Sequence, residues 1–455
     1  MDRVPVPRDL KDFSRIFSDA GHRVYLVGGA VRDRFLGKKA EDWDVATDAL
    51  PEQVMAIFPR VIPTGIEHGT VTIPFRGHAI ECTTFRAESE YTDGRRPDSV
   101  RYDVTIEEDL SRRDFTMNAI AVSLPDGAVV DPFGGRDDVS RRIIRAVGDP
   151  SARFAEDGLR PLRAVRFSAL SGFGIDEATL NAIPASLGVT AKVAPERVRD
   201  ELLKLLSAPD PLTAFGYMET TGLMELILPE LSACRGVEQK GRHRHDVLDH
   251  ILLTCSACPR EVPEISLAGL FHDVGKPSVR AFDANGAVTF HGHETASARI
   301  ARSVMTRLKF PNRTIARVCH LVEQHMFHYE SSWTDAAIRR FVVRVGTDEL
   351  EPLFALRAAD SFAISGVRGE PPEIDELRNR IAGILAAKHA FSLRDLAVNG
   401  SDLGEAGIPP GPITGMVLRE LLSAVLDDPE LNEKSRLLEI ARAFVRERRL
   451  TGRDS

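Results

Sequence analysis

RVYLV at 23–27, Gly28-Gly29, AVRDRFLG at 30–37 and EDWDVAT at 41–47 decide how the chain is read. RVYLV is a short apolar run closed by a glycine pair, and a helix-like segment follows; together they read as strand, turn and helix. Gly28 and Gly29 let backbone N–H groups approach a polyphosphate. The helix start adds partial positive charge there, with Arg32 on its first turn. If EDWDVAT is a strand, Asp42 and Asp44 point to one side and Trp43 to the other, towards packing. Two carboxylates on one face at a strand end suit a pair of Mg²⁺ ions, which activate an attacking oxygen and stabilise a leaving one. Glu81, in AIECTTF, supplies a third carboxylate from a neighbouring strand. An Asp-x-Asp alone is more readily a surface acidic pair, and a Gly-Gly alone a tight turn. Their coincidence with Arg32 within about sixty residues points to phosphoryl chemistry on a nucleotide.

Outward from this stretch, residues 1–145 read as mixed α/β, with TVTIPF, AIECTTF and NAIAVSL as further strands. From about 150 the apolar residues recur at three and four, as in LRPLRAVRFSAL, ERVRDELLKLL and LTAFGYMETTGLMELI, which predicts helices. The last ninety residues are helical again, broken by GIPPGPITG at 407–415. The whole is 455 residues, enough for about three domains. With 43% hydrophobic and 28% charged residues it is neither disordered nor a disulfide scaffold. No apolar run of about 18 residues predicts a membrane span. MDRVPVPRDLKDF is charged without an apolar core, so it is not expected to be a secretory signal.

A net charge of −8 excludes a histone-like positive coat but not a local basic path. The five cysteines are odd in number and lack framework spacing, so a reduced, cytoplasmic setting is expected. Cys255 and Cys258 form one CxxC inside an apolar run and read as a helical core pair.

Nine of the thirteen histidines fall between His243 and His328. His250, the adjacent His272-Asp273 and the later Asp360 give the order H…HD…D, which resembles the HD superfamily of metal-dependent phosphohydrolases. Imidazole plus carboxylate suits Mn²⁺, Ni²⁺, Co²⁺, Fe²⁺ or Mg²⁺. Lys276 is placed to neutralise phosphate, and His291, His293 and His325 to support metal or substrate. A retained helical scaffold is the competing reading.

VGGAVRDRFLG followed by DWDVAT resembles the head motif of class II tRNA nucleotidyltransferases, the CCA-adding enzymes, and of the related bacterial poly(A) polymerases. TGIEHGTV (64–71), ECTTFR (81–86), EEDLSRRDFTMNA (107–119), DPFGGRDDVSRRIIRAVGDP (131–150), AEDGLRPLRAVRF (155–167) and PERVRDELLKLL (195–206) continue that resemblance in order. It implies an α+β fold: a polymerase-β-like nucleotidyltransferase head with a small β-sheet, then all-α neck, HD and tail regions. The implied boundaries are 1–148, 149–238, 239–366 and 367–455.

The resemblance also implies the roles. Asp42, Asp44 and Glu81 are catalytic and hold two Mg²⁺ ions. Gly28, Gly29, Arg32, Arg112, Arg113 and Asp114 bind the nucleotide. Glu156, Asp157, Arg160, Arg163 and Arg166 belong to the base-reading motif. On a helix Asp157 and Arg160, at i and i+3, would be neighbours. A carboxylate that accepts from an exocyclic amine, beside a guanidinium that donates to the ring, selects cytosine and adenine over uracil and guanine.

The partners implied are tRNA, CTP and ATP, with no membrane. The polar stretch 87–108, with Gly94 and Pro97, reads as a full-length flexible loop and favours competence to add A. TGIEHGTV resembles CCA enzymes more than poly(A) polymerases. VRERRLTGR near the end, with Arg141, Arg142 and Arg145, offers a path for a tRNA acceptor arm. Addition of A only, poly(A) synthesis, and an HD phosphohydrolase with an RNA-binding head are the alternatives.

Overall fold

A computed structural model describes residues 3–38, 42–89, 99–239, 244–387 and 390–450. The chain divides into two compact units, Met1–Arg235 with Val304–Pro311, and Gly236–Ser303 with Asn312–Ser455.

The first unit opens on an α+β half. Strands β1 (Val24–Val27), β2 (Asp44–Thr47), β3 (Ile62–Gly65), β4 (Thr70–Phe75) and β5 (His78–Thr84) join Ala121–Leu124 and Val129–Val130 in one seven-stranded sheet. The order is β3-β4-β5-β2-β1, then Ala121–Leu124 and Val129–Val130. Only β2 and β5 pair in parallel; the other neighbours are antiparallel. The helix Arg8–Asp19 buries Leu10, Phe13 and Phe17. Phe13 stacks on Phe58 with ring centroids 5.2 Å apart. Another core gathers Val27, Ala46, Phe85, Leu110 and Val147, with Tyr25 against it.

The stretch read as a flexible loop is partly ordered. Ala87–Ser89 pairs antiparallel with Ser99–Arg101, and Ile106–Ser111 is a helix capped by Thr105 and Glu108. Its centre, with Gly94 and Pro97, lies outside the described residues.

The rest of the first unit is helical: Pro150–Glu156, Arg160–Ser171, Glu177–Thr190, Pro195–Leu206, Pro211–Thr220 and the short Leu223–Ile227 and Pro229–Ser232. Gly222, at φ +82°, splits the predicted long helix 212–227 in two. The second unit sets helices Val247–Ala257, Pro263–Phe271, Asn312–Gln324, Asp335–Val345 and Leu350–Ser365 around the histidine-rich segment. Its last part has a separate core of Leu403, Val417, Leu421, Val425, Leu437 and Ala441. The second helix of that part, Pro412–Asp427, begins inside the predicted 407–415 break because Pro412 suits a first helical turn. The molecule is α+β as expected, a sheet-bearing head followed by a largely helical remainder. Among the described residues no helix is long and apolar enough to cross a membrane.

Candidate functional site

At the ends of β1, β2 and β5 the first unit opens into a cleft of about 820 Å³. Strand register builds one wall. Val27 pairs with Asp44, and Asp44 pairs with Glu81, so the two carboxylates stand side by side on adjacent strands. Gly28, at φ +66°, turns the chain from β1 into the helix Gly29–Phe35. That left-handed φ favours glycine, although a Cβ there would make only ordinary contacts, 3.5 Å from Asp44 Oδ2 and 3.6 Å from Arg113 Nη1.

Burial raises the Asp44 pKa; Arg113 opposes the rise and Asp42 adds to it. Desolvation and then Asp44 raise that of Glu81. Among the described residues neither carboxylate makes a hydrogen bond or ion pair. Two adjacent oxygen donors with raised proton affinity, which the one nearby cation Arg113 only partly offsets, fit a hard divalent cation.

Asp42 departs from its expected place. The strand begins at Asp44, and Asp42 lies in the preceding bend, exposed. The ladder runs out at Trp43, whose carbonyl accepts from Glu81 N at 3.1 Å. The buried indole of Trp43 stacks on His78 at 4.0 Å. Trp43 therefore packs as expected. Asp42 reaches Asp44 through its charge and does not line the cleft as a strand partner.

The facing wall is rich in arginine. Buried Asp109 accepts from Arg112 Nη2 at 2.8 Å and Arg113 Nη2 at 3.2 Å, aiming both guanidiniums at the cleft. Burial alone would raise its pKa, but the two arginines hold it below the ordinary value. Arg32 donates to Asn118 Oδ1 at 3.1 Å. Asp114 is buried, accepts from Arg163 at 2.6 and 2.9 Å, and is likewise held low against burial.

Asp157 and Arg160 both line the cleft, but not as i,i+3 neighbours on one helix. The first helix ends at Glu156, Asp157 is extended (φ −140°, ψ 107°), and the next helix starts at Arg160 with Pro161 in its first turn. The break lies at Gly158, where a Cβ would sit 2.6 Å from the Val189 carbonyl oxygen. Asp157 instead pairs with Arg197 at 2.7 Å. Arg160 bonds Glu156 at 2.5 Å and the carbonyls of Arg153 and Arg112. Arg166 turns away from the cleft to Glu201 at 2.5 Å, its guanidinium 3.9 Å from the Phe167 ring. Arg145 pairs with Asp138 and Asp176.

Sequence reasoning passed over Asp109, Asn118, Phe167 and Arg197. The Asp109–Arg112–Arg113 spacing of three and four was a visible helical signal. The Asp157–Arg197 pair, forty residues apart, had none.

In the second unit the four predicted HD residues converge. His250 Nε2 lies 3.3 Å from Asp273 Oδ2, 3.1 Å from Asp360 Oδ1 and 3.1 Å from His272 Nε2. All four are buried. Burial lowers the His250 pKa, but Asp273 and Asp360 outweigh it and push it up to about 9. A divalent ion would replace that proton as the counter-charge, so the donor set fits a metal. Lys276 Nζ also bonds Asp273 Oδ2, at 2.6 Å. Cys255 and Cys258 are buried thiols in the helical core, and burial pushes the Cys255 pKa up to about 12.

Residues 24–145 match the family model of the poly(A) polymerase head domain. Residues 172–234 match that of the RNA and SrmB-binding site of polymerase A, and 294–441 that of tRNA nucleotidyltransferase domain 2. A CCA-adding enzyme of Geobacillus thermodenitrificans is 35% identical over 425 residues, 92% of each chain. One from Levilactobacillus brevis is 36% identical over 92% of this chain and 93% of its own. The chain belongs to the class II CCA-adding enzyme and poly(A) polymerase family.

Among solved structures of CCA-adding enzymes, that of Bacillus stearothermophilus in complex with CTP aligns over 98% of both chains, at 31% identity and a TM-score of 0.73. The Thermotoga maritima CCA-adding enzyme complexed with tRNA shares the fold, at 21% identity and a TM-score of 0.54. The polymerase-β-like head of this family implies a divalent metal.

Proposed function

We propose that the chain adds CCA to tRNA 3′ ends from CTP and ATP, the 3′-hydroxyl attacking the α-phosphate and pyrophosphate leaving. The observation that carries this reading is the in-register Asp44–Glu81 pair facing Asp157 and Arg160 across one cleft. Asp44 and Glu81, with Asp42 adding charge from the bend, would hold the two Mg²⁺ ions, which would supply a lowered pKa for the attacking hydroxyl and charge neutralisation for the triphosphate. The N–H groups at Gly28 and Gly29, with Arg32, Arg112 and Arg113, orient the triphosphate. Asp114 spends both oxygens on Phe115 N, Asn118 and Arg163, so the acceptor offered to the ribose is the second lone pair of Asn118 Oδ1.

The base is read by what Asp157 and Arg160 have left to give. Among the described residues, Asp157 Oδ1 accepts from Leu159 N and Arg197, and Oδ2 accepts only from Arg197. One lone pair of Oδ2 is therefore open to an exocyclic amine. Arg160 has spent Nη1 and one proton of Nη2, which leaves Nε–H and the other Nη2 proton to donate. Acceptor beside donor matches cytosine and adenine. Arg163 holds the nearby wall through Asp114.

The four-part division at 148, 238 and 366 assigns catalysis, base reading, the HD centre and tRNA binding in turn, and five buried thiols suit a reducing cytoplasm. A second reading is favoured by the His250–His272–Asp273–Asp360 convergence: a divalent ion there supports phosphoester hydrolysis. Primer extension on three tRNAs, ending before CCA, after C and after CC, with CTP, ATP or both, tests the main reading at single-nucleotide resolution. CCA added to the first and then arrest is the expected result. Only A on the third makes the chain an A-adding partner, and a long A ladder makes it a poly(A) polymerase. No incorporation leaves the HD phosphohydrolase with an RNA-binding head.

A further inference from the structure

The cleft floor is asymmetric about its carboxylates. Sheet order puts β1 on one side of β2, and β5 then β4 on the other. The Gly28 turn and Arg32 lie at the β1 side, and Asp44 and Glu81 stand in the middle, on β2 and β5. Beyond them Thr83 on β5 faces Thr70 on β4 in register, and both line the cleft. Their hydroxyl oxygens are 3.0 Å apart. Thr64 and Thr72 make a like pair at 3.0 Å but do not line the cleft. We propose that the Thr70–Thr83 hydroxyl pair binds the 2′-hydroxyl of the primer's last ribose and so selects an RNA end over a DNA end. The proposal rests on the reading that this cleft transfers a nucleotide to a 3′-hydroxyl.

Three observations carry it. The first is placement. In an in-line displacement the attacking and leaving oxygens lie on opposite sides of the phosphorus. The pyrophosphate belongs to the β1 side, with the glycine turn and Arg32, so the attacking ribose comes over β5 and β4. Residues i and i+2 of a strand share a face, which puts Thr83 on the face of Glu81, roughly 7 Å along β5. The second is unspent bonding. Each hydroxyl offers one donor and two acceptors, and their mutual contact uses one of each, which leaves one O–H and three lone pairs. Among the described residues neither hydroxyl has another partner. The pair therefore both donates to and accepts from a third hydroxyl. The third is rigidity. Both residues are β-branched and face each other from paired strands, so the hydroxyls are held before substrate arrives. The 2′-hydroxyl, itself donor and acceptor, is the group that separates RNA from DNA at such a place.

Single-turnover A addition by the full chain to two tRNA-like hairpins ending in CC tests this, one closed by a ribose and the other by a 2′-deoxyribose, each with ATP and Mg²⁺. At subsaturating primer, wild type is expected to favour the ribose end by about fivefold, the weight of one neutral hydrogen bond. Thr70→Val with Thr83→Val keeps the branched shape and should bring the two ends level. Thr70→Ser with Thr83→Ser keeps both hydroxyls and should retain the preference. A preference unchanged in the valine variant belongs to the chemistry of the ribose itself and overturns the proposal. A wild type that uses both ends alike also overturns it. A wild type that extends neither end refutes the nucleotidyl-transfer reading beneath it. If the valine pair unfolds or extends neither end, Thr83→Val alone gives the same ratio.

Discussion

Asp44 is placed so that its titration reports on its neighbours. Burial and Asp42 raise its pKa and Arg113 lowers it. The ionised form is the one that binds metal, so incorporation should fall as pH drops through that raised value. Replacing Arg113 by Gln removes the opposing cation, raises the Asp44 pKa further, and should move the acidic limb of the pH–rate profile to higher pH. A limb that stays in place, whatever the loss in rate, would separate Arg113 from the carboxylates. At the base-reading end, Arg197 touches only the back of Asp157. Arg197→Ala should relax the choice of C and A over U and G by about 10–100-fold, the weight of a charge-assisted hydrogen bond. Arg197→Lys should recover part of it. Single-turnover incorporation of all four nucleotides measures both, and unchanged discrimination would remove Arg197 from base reading.

At the scale of elements, helix Ile106–Ser111 is pinned by Asp109. Removing that carboxylate takes from two guanidiniums, mostly out of water, the buried anion they share. Asp109→Ala should therefore cost about 3 kcal/mol at neutral pH. The folded pKa of Asp109 lies below its unfolded value of about 3.9. The contribution is thus complete above pH ~4 and is lost as pH falls through the folded value. Urea unfolding at pH 7 and pH 3.5 should show the gap between wild type and variant narrowing; a constant gap would mean that packing, not charge, is lost.

The same scale shows what the sequence could and could not disclose. The β1–turn–helix unit and the β4 and β5 strands were legible because period and glycine placement are local. The end of β2 was not, because Trp43 leaves the ladder to stack on His78, a long-range contact. Asp157 and Arg160 read as one helix face because nothing local marks Gly158 as a close approach to Val189. The His and Asp residues of the second unit were legible as types in order, but which oxygen of Asp273 faces which imidazole is a fact of packing alone.

For the whole molecule, each of the two donor sets lies inside one compact unit. The cleft draws on residues from Val27 to Arg197 in the first unit, and the His/Asp centre on His250 to Asp360 in the second. No side chain is shared between the two donor sets, so each should fail alone. Asp42→Ala with Asp44→Ala should abolish incorporation while leaving tRNA binding and Co²⁺ uptake by the second unit intact. His272→Ala with Asp273→Ala should remove Co²⁺ uptake and any phosphatase or cyclic phosphodiesterase activity, and spare incorporation within about twofold, a barrier change of roughly 0.4 kcal/mol. Thermal melting of both variants separates chemistry from unfolding, because the buried Asp273 leaves Lys276 without its carboxylate when removed. If incorporation collapses in a folded His272/Asp273 variant, the metal centre is part of the polymerising machine, and the separation of the two chemistries is wrong.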